Sequence, residues 1–144
     1  MTITNHALVG ATIIAIIPNP WIALPLAIGS HFLLDAVPHF GGVDWFEHWG
    51  WPMAMMAAAD LVLLIGLCVV LAFIGGAEAG WLITGALAAT LPDWPWLLHY
   101  GLGWQHAYFR WHLAIQRYER PWGAYVEVVF GALMATGLWR LLGR

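Results

Sequence analysis

Apolar residues run along the chain in five stretches, which are separated by short polar or turn-forming sequences. The stretches lie at residues 5–17, 21–37, 53–74, 80–91 and 123–142, and the fourth extends towards Leu98 past two prolines. None of them alternates between apolar and polar residues as barrel strands do. Inside lipid, only helices and closed barrels satisfy every backbone hydrogen bond. The pattern therefore predicts an all-α integral membrane protein.

The five stretches predict one domain made of two helical hairpins and a C-terminal transmembrane helix. The first hairpin spans residues 5–37 and turns at Pro18-Asn19-Pro20, a strong turn sequence. The second hairpin spans residues 53–98, and the C-terminal helix spans residues 122–142. A full crossing needs about 20 residues. We therefore expect four or five membrane segments, of which the first is short.

The composition supports a membrane protein and argues against a nucleic-acid partner. Hydrophobic residues make up 62% of the chain and charged residues only 9%, whereas ordinary globular domains carry about 25% charged residues. The chain has 11 tryptophans, a residue that favours the membrane–water interface. Residues 100–121 mix histidine, arginine and aromatic residues, which is typical of an interfacial segment. A net charge of −3 without a basic stripe argues against nucleic acid as a partner.

Five ionisable residues lie in or beside these apolar stretches: His6, His31, Asp35, Asp60 and Asp93. Each such residue costs roughly 2.5–3.5 kcal/mol near the centre of a membrane helix, so a chain that keeps several gathers them into one internal site. The up-and-down path of the two hairpins places all five towards the same membrane face. His31 and Asp35 are four residues apart, so they project from one face of a helix. We expect one polar cluster near that face.

Imidazole and carboxylate groups together suit a divalent metal such as Zn²⁺, Fe²⁺ or Mn²⁺. A set without cysteine is more typical of a catalytic site than of a structural one. A metal there activates water, and Asp60 or Asp93 would act as general base. The alternatives are structural. His31 and Asp35 would then form a buried hydrogen-bonded pair, Asp60 would be a hydrogen-bonding partner of His6 or His31, and Asp93 would cap the following helical turn.

The remaining polar residues are expected at the edge of the cluster or at the membrane interface. His39 continues the face of His31 and Asp35, but Pro38 makes its helical geometry doubtful. Glu127 lies one turn into the last helix and could reach the cluster. The other histidines lie among interfacial tryptophans, where solvent or lipid headgroups would surround them: His48, His99, His106 and His112.

Three short motifs resemble a known family. They read Asn5-His6-x3-Gly10, then Ser30-His31-x3-Asp35-x2-Pro38-His39, then Leu91-Pro92-Asp93. This order is similar to that of small bacterial inner-membrane proteins grouped as membrane-bound metal-dependent hydrolases, of the LexA-regulated, YdjM-like type. The resemblance implies a multi-pass protein of the bacterial inner membrane with a metal site. The implied metal ligands are His6, His31, Asp35 and Asp93.

The leading functional hypothesis is a membrane-bound metal-dependent hydrolase that acts on a lipid or a phosphate ester. The alternative is a non-catalytic accessory subunit of a larger membrane complex, associated with pigment, haem or quinone. Many small residues, including 16 glycines, and an almost uncharged surface would suit packing against partner subunits or in a homo-oligomer. A small transporter built on the two hairpins is a third possibility.

Overall fold

A computed structural model describes residues 1–41, 50–116 and 118–143, and all of their regular structure is helical. The predicted all-α class is therefore confirmed. The α-helices are α1 (Ile3–Ile16), α2 (Pro20–Asp35), α3 (Trp51–Ile74), α4 (Ala79–Thr90), α5 (Pro95–Leu102), α6 (Ala107–Ile115) and α7 (Gly123–Leu141). One short 3-10 turn, Gly76–Glu78, precedes α4, and another, Leu91–Asp93, follows it. His48 lies outside the described residues.

Two of the described helices, α3 and α7, are long and apolar enough to cross a membrane. This is fewer than the four or five segments expected from the sequence. Helices α1, α2 and α4 have 14, 16 and 12 residues, which gives each about 18–24 Å of length at 1.5 Å per residue. The hydrocarbon core is about 30 Å thick. The prolines at the ends of α2 and α4 keep these helices short.

Helix α1 lies at the centre of the fold and packs against α2, α3, α4 and α7. Its closest approach is to α4, where Gly10 and Gly85 face each other. A Cβ atom at Gly10 would lie 2.2 Å from the Gly85 carbonyl oxygen, and one at Gly85 would lie 2.1 Å from Cγ1 of Ile14. Only glycine fits at these two positions, because the opposing backbone cannot move away. Buried Ala7, Ala11 and Ala86 continue this tightly packed interface.

Helices α3 and α7 lie outside this centre and expose most of their apolar side chains. In each, only 11% of the most apolar window is buried. The exposed residues include Val62, Leu63 and Phe73 on α3 and Val128 and Leu133 on α7. Apolar faces of this extent indicate contact with lipid or with another protein.

Carboxylates from α3 and α7 hold the first turn of α1. Asp60 accepts hydrogen bonds from the backbone N–H groups of Ile3 and Thr4, at 2.5 and 3.1 Å. Glu127 accepts one from the backbone N–H of Thr2, at 2.9 Å. These N–H groups have no partner within the helix, and negative charge is favourable beside them. The bonds therefore fix the polar ends of α1, α3 and α7 on the same side of the fold.

Candidate metal centre

Four side chains from three parts of the fold meet in one cluster, called here the His–Asp cluster. His31 and Asp35 come from α2, Asp93 from the turn after α4, and His112 from α6. One ligand atom from each lies within 4.8 Å of the other three. His31, Asp35 and His112 are fully buried. Among the described residues, the cluster therefore brings two imidazoles and two carboxylates together around one point.

The spacing of the four atoms fits a single metal ion. His31 Nε2 lies 3.2 Å from Asp35 Oδ2, 3.4 Å from Asp93 Oδ1 and 3.3 Å from His112 Nε2. His112 Nε2 lies 2.9 Å from Asp35 Oδ2 and 3.9 Å from Asp93 Oδ1. Nitrogen and oxygen ligands lie roughly 2.0–2.1 Å from a zinc ion, so two neighbouring ligand atoms of a tetrahedral site are about 3.4 Å apart. The cluster is thus close to tetrahedral dimensions.

A backbone carbonyl sets the orientation of the His31 ring. Its Nδ1 lies 2.9 Å from the carbonyl oxygen of Ala89, on α4. A carbonyl only accepts, so Nδ1 carries the hydrogen and the neutral ring presents a lone pair at Nε2. That lone pair faces two carboxylate oxygens, those of Asp35 and Asp93. The amino group of Met1 offsets one of the two negative charges from the far side of Asp35. The three acceptors that face each other still need a cation between them, which is either a metal ion or a proton on His31.

Asp35 is held from both sides by groups outside the metal-facing arrangement. Its Oδ1 accepts from the amino group of Met1, at 2.6 Å, and lies 3.1 Å from Nε2 of His6. Its Oδ2 accepts from the side-chain amide of Gln116, at 3.1 Å. A buried carboxylate needs such partners to offset the loss of water. Groups from α1 and from the segment after α6 therefore fix the Asp35 carboxylate in place.

Asp93 connects the cluster to the surface. Its side chain is 18% exposed, whereas those of the other three residues are fully buried. The turn that carries it is held by Tyr108, whose hydroxyl donates to the carbonyl of Pro92. Burial, together with the nearby charges of Asp93 and Asp35, raises the pKa of Tyr108 to about 12. The Tyr108 hydroxyl therefore stays protonated and keeps its bond to Pro92. Because Asp93 is the partly exposed member of the cluster, a molecule that approaches from the surface meets Asp93 first.

His112 is the member of the cluster that sequence reasoning missed. We expected it at the membrane interface among solvent or headgroups, and this was wrong because α6 turns its histidine inwards. The ring is fully buried, and Trp96 donates its indole N–H to Nδ1 at 3.2 Å. A signal was present in the sequence: His112 and Gln116 lie four residues apart, and both reach Asp35. The aromatic and basic residues around these two positions favoured an interfacial assignment, so the inward-facing pair was not recognised.

His6 and Asp60, which we also proposed as site residues, lie beside the four-atom group rather than in it. The His6 ring is fully buried and stacks on His31, with ring centroids 3.9 Å apart. It approaches the far oxygen of Asp35, and its Nδ1 has no hydrogen-bond partner among the described residues. Both carboxylate oxygens of Asp60 accept from the first turn of α1.

The other polar residues from the sequence analysis lie apart from the His–Asp cluster. Glu127 accepts from the backbone N–H of Thr2 and from that of Phe40. His39 is buried, and its Nε2 lies 3.7 Å from Glu119. His99 and His106 make local bonds: His99 bonds the carbonyl of Trp104, and His106 caps the first turn of α6.

Histidine and aspartate ligands, tetrahedral spacing and one surface-facing carboxylate together describe a site that could hold one metal ion. Comparisons of the chain with protein-family models, with curated proteins and with solved structures find no match.

Proposed function

We propose that this protein is a multi-pass membrane protein that binds one divalent transition metal ion in the His–Asp cluster and uses it to hydrolyse a lipid or a phosphate ester. The observation that carries the proposal is the position of His31 Nε2, which lies 3.2 Å from Asp35 Oδ2 and 3.4 Å from Asp93 Oδ1, with His112 Nε2 beside them at 2.9 Å from Asp35 Oδ2. Imidazole nitrogen and carboxylate oxygen are ligand atoms that suit Zn²⁺, Fe²⁺ or Mn²⁺.

The surroundings of the cluster favour a metal ion over a lone proton. His31 donates its Nδ1 hydrogen to a backbone carbonyl, which is the usual arrangement for a histidine that binds a metal through its other ring nitrogen. Asp35 is oriented by hydrogen bonds to its other lone pairs, as metal-binding carboxylates usually are. A single proton on His31 Nε2 would have to be shared between Asp35 Oδ2, at 3.2 Å, and Asp93 Oδ1, at 3.4 Å.

The residues divide into holding and reacting roles. A divalent metal ion lowers the pKa of a bound water and polarises an ester bond. His31 and Asp35 are fully buried and hydrogen-bonded, so they are suited to holding the ion. Asp93 would have both roles: its Oδ1 would help to hold the ion, and because its side chain is 18% exposed it is the carboxylate placed to accept a proton from water. Asp60, which we had also considered as the base, is engaged with the backbone of α1.

The membrane setting explains the choice of substrate class. Helices α3 and α7 provide two candidate crossings, and the shorter α1, α2 and α4 would be immersed between them. The cluster lies at the end of the fold where α1 begins and α2 ends, so a headgroup at the membrane surface could reach it. Three of the four ligands implied by the family resemblance, His31, Asp35 and Asp93, lie in the cluster. This supports a place among bacterial inner-membrane hydrolases.

Elemental analysis of gently purified protein tests the proposal. We expect a near-stoichiometric transition metal in the wild type, and its loss in His31→Ala and Asp35→Asn. His106→Asn is the matched control, because it removes an exposed imidazole and keeps a side chain that can cap α6. Metal-free wild-type protein that resists reloading with Zn²⁺, Fe²⁺ and Mn²⁺ would overturn the proposal.

A second candidate function is a non-catalytic subunit of a larger membrane complex. The exposed apolar faces of α3 and α7 favour it, because a partner helix would cover them as well as lipid does. Its test is native mass spectrometry together with an absorption spectrum of protein extracted in mild detergent. A fixed partner or a bound pigment, haem or quinone would favour this function, and a bare monomer would exclude it.

A further inference from the structure

Trp96 determines where the hydrogen of the neutral His112 ring sits. The indole N–H of Trp96 points at Nδ1 of His112, at 3.2 Å. Indole nitrogen is a donor only, so Nδ1 must accept, and the hydrogen of the neutral imidazole then lies on Nε2. That atom lies 2.9 Å from Asp35 Oδ2, a carboxylate oxygen that can only accept. This one tautomer satisfies the shorter contacts of His112, those with Trp96 and Asp35. The His112 Nε2 atom also lies 3.3 Å from His31 Nε2 and 3.5 Å from the side-chain amide nitrogen of Gln116.

The two histidines of the cluster therefore have opposite hydrogen placements. His31 carries its hydrogen on Nδ1, bonded to Ala89, and turns a lone pair towards the cluster. His112 turns an N–H towards it. A histidine binds a metal through a nitrogen lone pair, and its other nitrogen then usually carries a hydrogen. For His112, that other hydrogen would point at the N–H of Trp96, which is a clash between two donors.

We propose that Trp96 is a positioning residue that keeps His112 from being a metal ligand and makes it a hydrogen-bond donor to Asp35. The metal is then held by His31, Asp35 and Asp93. Three protein ligands with one open position are typical of catalytic zinc sites, whereas structural sites have four. Trp96 is 7% exposed and packs against Phe109, so its ring has little freedom to turn away. This inference rests on the proposed metal site.

The hydrogen placement can be read without any metal, from nitrogen-15 NMR of the histidine rings in metal-free protein. We expect His112, assigned by the loss of its signals in His112→Gln, to carry hydrogen on Nε2. In Trp96→Phe, hydrogen should shift partly or fully to Nδ1. Trp94→Phe is the matched control, because the indole N–H of Trp94 donates to the Thr90 hydroxyl instead. Hydrogen on Nδ1 of His112 in the wild type would overturn the inference.

Zinc affinity gives a second readout whose direction separates this role from simple packing. Without the Trp96 N–H, His112 is free to become a fourth ligand, so Trp96→Phe should bind zinc about tenfold more tightly, or about 1.4 kcal/mol. If Trp96 only filled space, its replacement by the smaller Phe would loosen the site, and the variant would bind zinc more weakly than the wild type. Trp94→Phe should match the wild type. Unchanged or weaker binding by folded Trp96→Phe contradicts the inference.

A substitution of His112 itself completes the test. Glutamine can still donate to Asp35, so His112→Gln should lose less than about tenfold in zinc affinity, while His31→Gln should lose more than about a hundredfold. Equal losses would show that His112 is a full ligand. If no variant and no wild-type protein binds zinc, the proposed function fails, and the nitrogen signals still decide the tautomer by themselves.

Discussion

His31 donates its Nδ1 hydrogen to the backbone carbonyl of Ala89, 2.9 Å away, and this one bond aims the opposite nitrogen at Asp35 and Asp93. The acceptor belongs to α4 and the donor to α2, so the site depends on how those helices pack. Their packing depends in turn on α1, which contacts both. Substitutions that change the distance between these helices should therefore disturb the cluster, even when they lie far from it.

The contact between α1 and α4 provides the first prediction. Gly10→Ala would place a methyl group 2.2 Å from the Gly85 carbonyl oxygen, so the helices must separate. We expect the free energy of unfolding to fall by about 1–3 kcal/mol, as for other overpacked cores. Gly66→Ala on α3 is the control, since its new methyl group meets nothing within 4 Å and alanine favours helices by up to about 1 kcal/mol. Thermal unfolding in detergent measures both. Equal stabilities would refute the close-packing account.

Loss of the Asp35 carboxylate should be the most damaging change in the cluster. Asp35→Ala strands the Met1 amine and the side chains of His6, His112 and Gln116 without their acceptor. Breaking a buried ionic network by removing one partner costs about 3–5 kcal/mol. Asp93→Ala should cost less, because Asp93 is partly exposed. Denaturant titration of metal-free protein compares the two, and a larger loss for Asp93→Ala would contradict this ranking.

Asp60 should matter for stability and not for metal content. Asp60→Asn weakens the three charge-assisted bonds that the carboxylate accepts from Ile3 and Thr4, and we expect a loss of about 1–3 kcal/mol in the free energy of unfolding. Metal content should equal that of the wild type, because Asp60 lies outside the four-atom group. Loss of bound metal from well-folded Asp60→Asn would show instead that Asp60 belongs to the site.

The proposed function predicts that α3 contacts lipid, and a spin label tests this. Cys68 is the single cysteine of the chain, so Cys68→Ala gives a background in which Leu63→Cys carries the label. Leu63 is 62% exposed and lies in the most apolar described helix. We expect strong relaxation by oxygen and weak relaxation by a water-soluble nickel complex. A label at Glu78→Cys, in the turn before α4, should show the reverse. Access of the nickel complex to both positions would exclude a membrane-spanning α3.

Much of the fold could be predicted because apolar runs and proline or glycine breaks are local signals. The predicted helix 53–74 appears as Trp51–Ile74, and the predicted helix 122–142 as Gly123–Leu141. What the pattern overestimated is the number of crossings. An apolar run shows that a helix is shielded from water, and it does not show whether lipid or protein covers the helix. Helix α1 is covered by its neighbours, which the sequence alone does not reveal.

The site was predictable only where its residues share one helix or one end of the predicted path. His31 and Asp35 could be paired from their spacing, and Asp93 from the up-and-down order of the hairpins. His112 could not be placed, because the position of α6 depends on tertiary contacts with Phe32 and Trp96 that have no local signature. Asp60 lies at the expected end of the fold, but its backbone partners depend on where α1 begins.

The most direct measurement is anomalous diffraction from crystals of the protein grown with zinc or manganese, collected at the absorption edge of that metal. The account requires one strong peak at bonding distance, about 2.0–2.2 Å, from His31 Nε2 and Asp35 Oδ2. No such peak should appear in crystals of His31→Ala grown with the same metal. A wild-type map with no peak in the His–Asp cluster would mean that a proton on His31, together with the Met1 amino group, balances the two carboxylates. The cluster would then be a structural link between α2, α4 and α6.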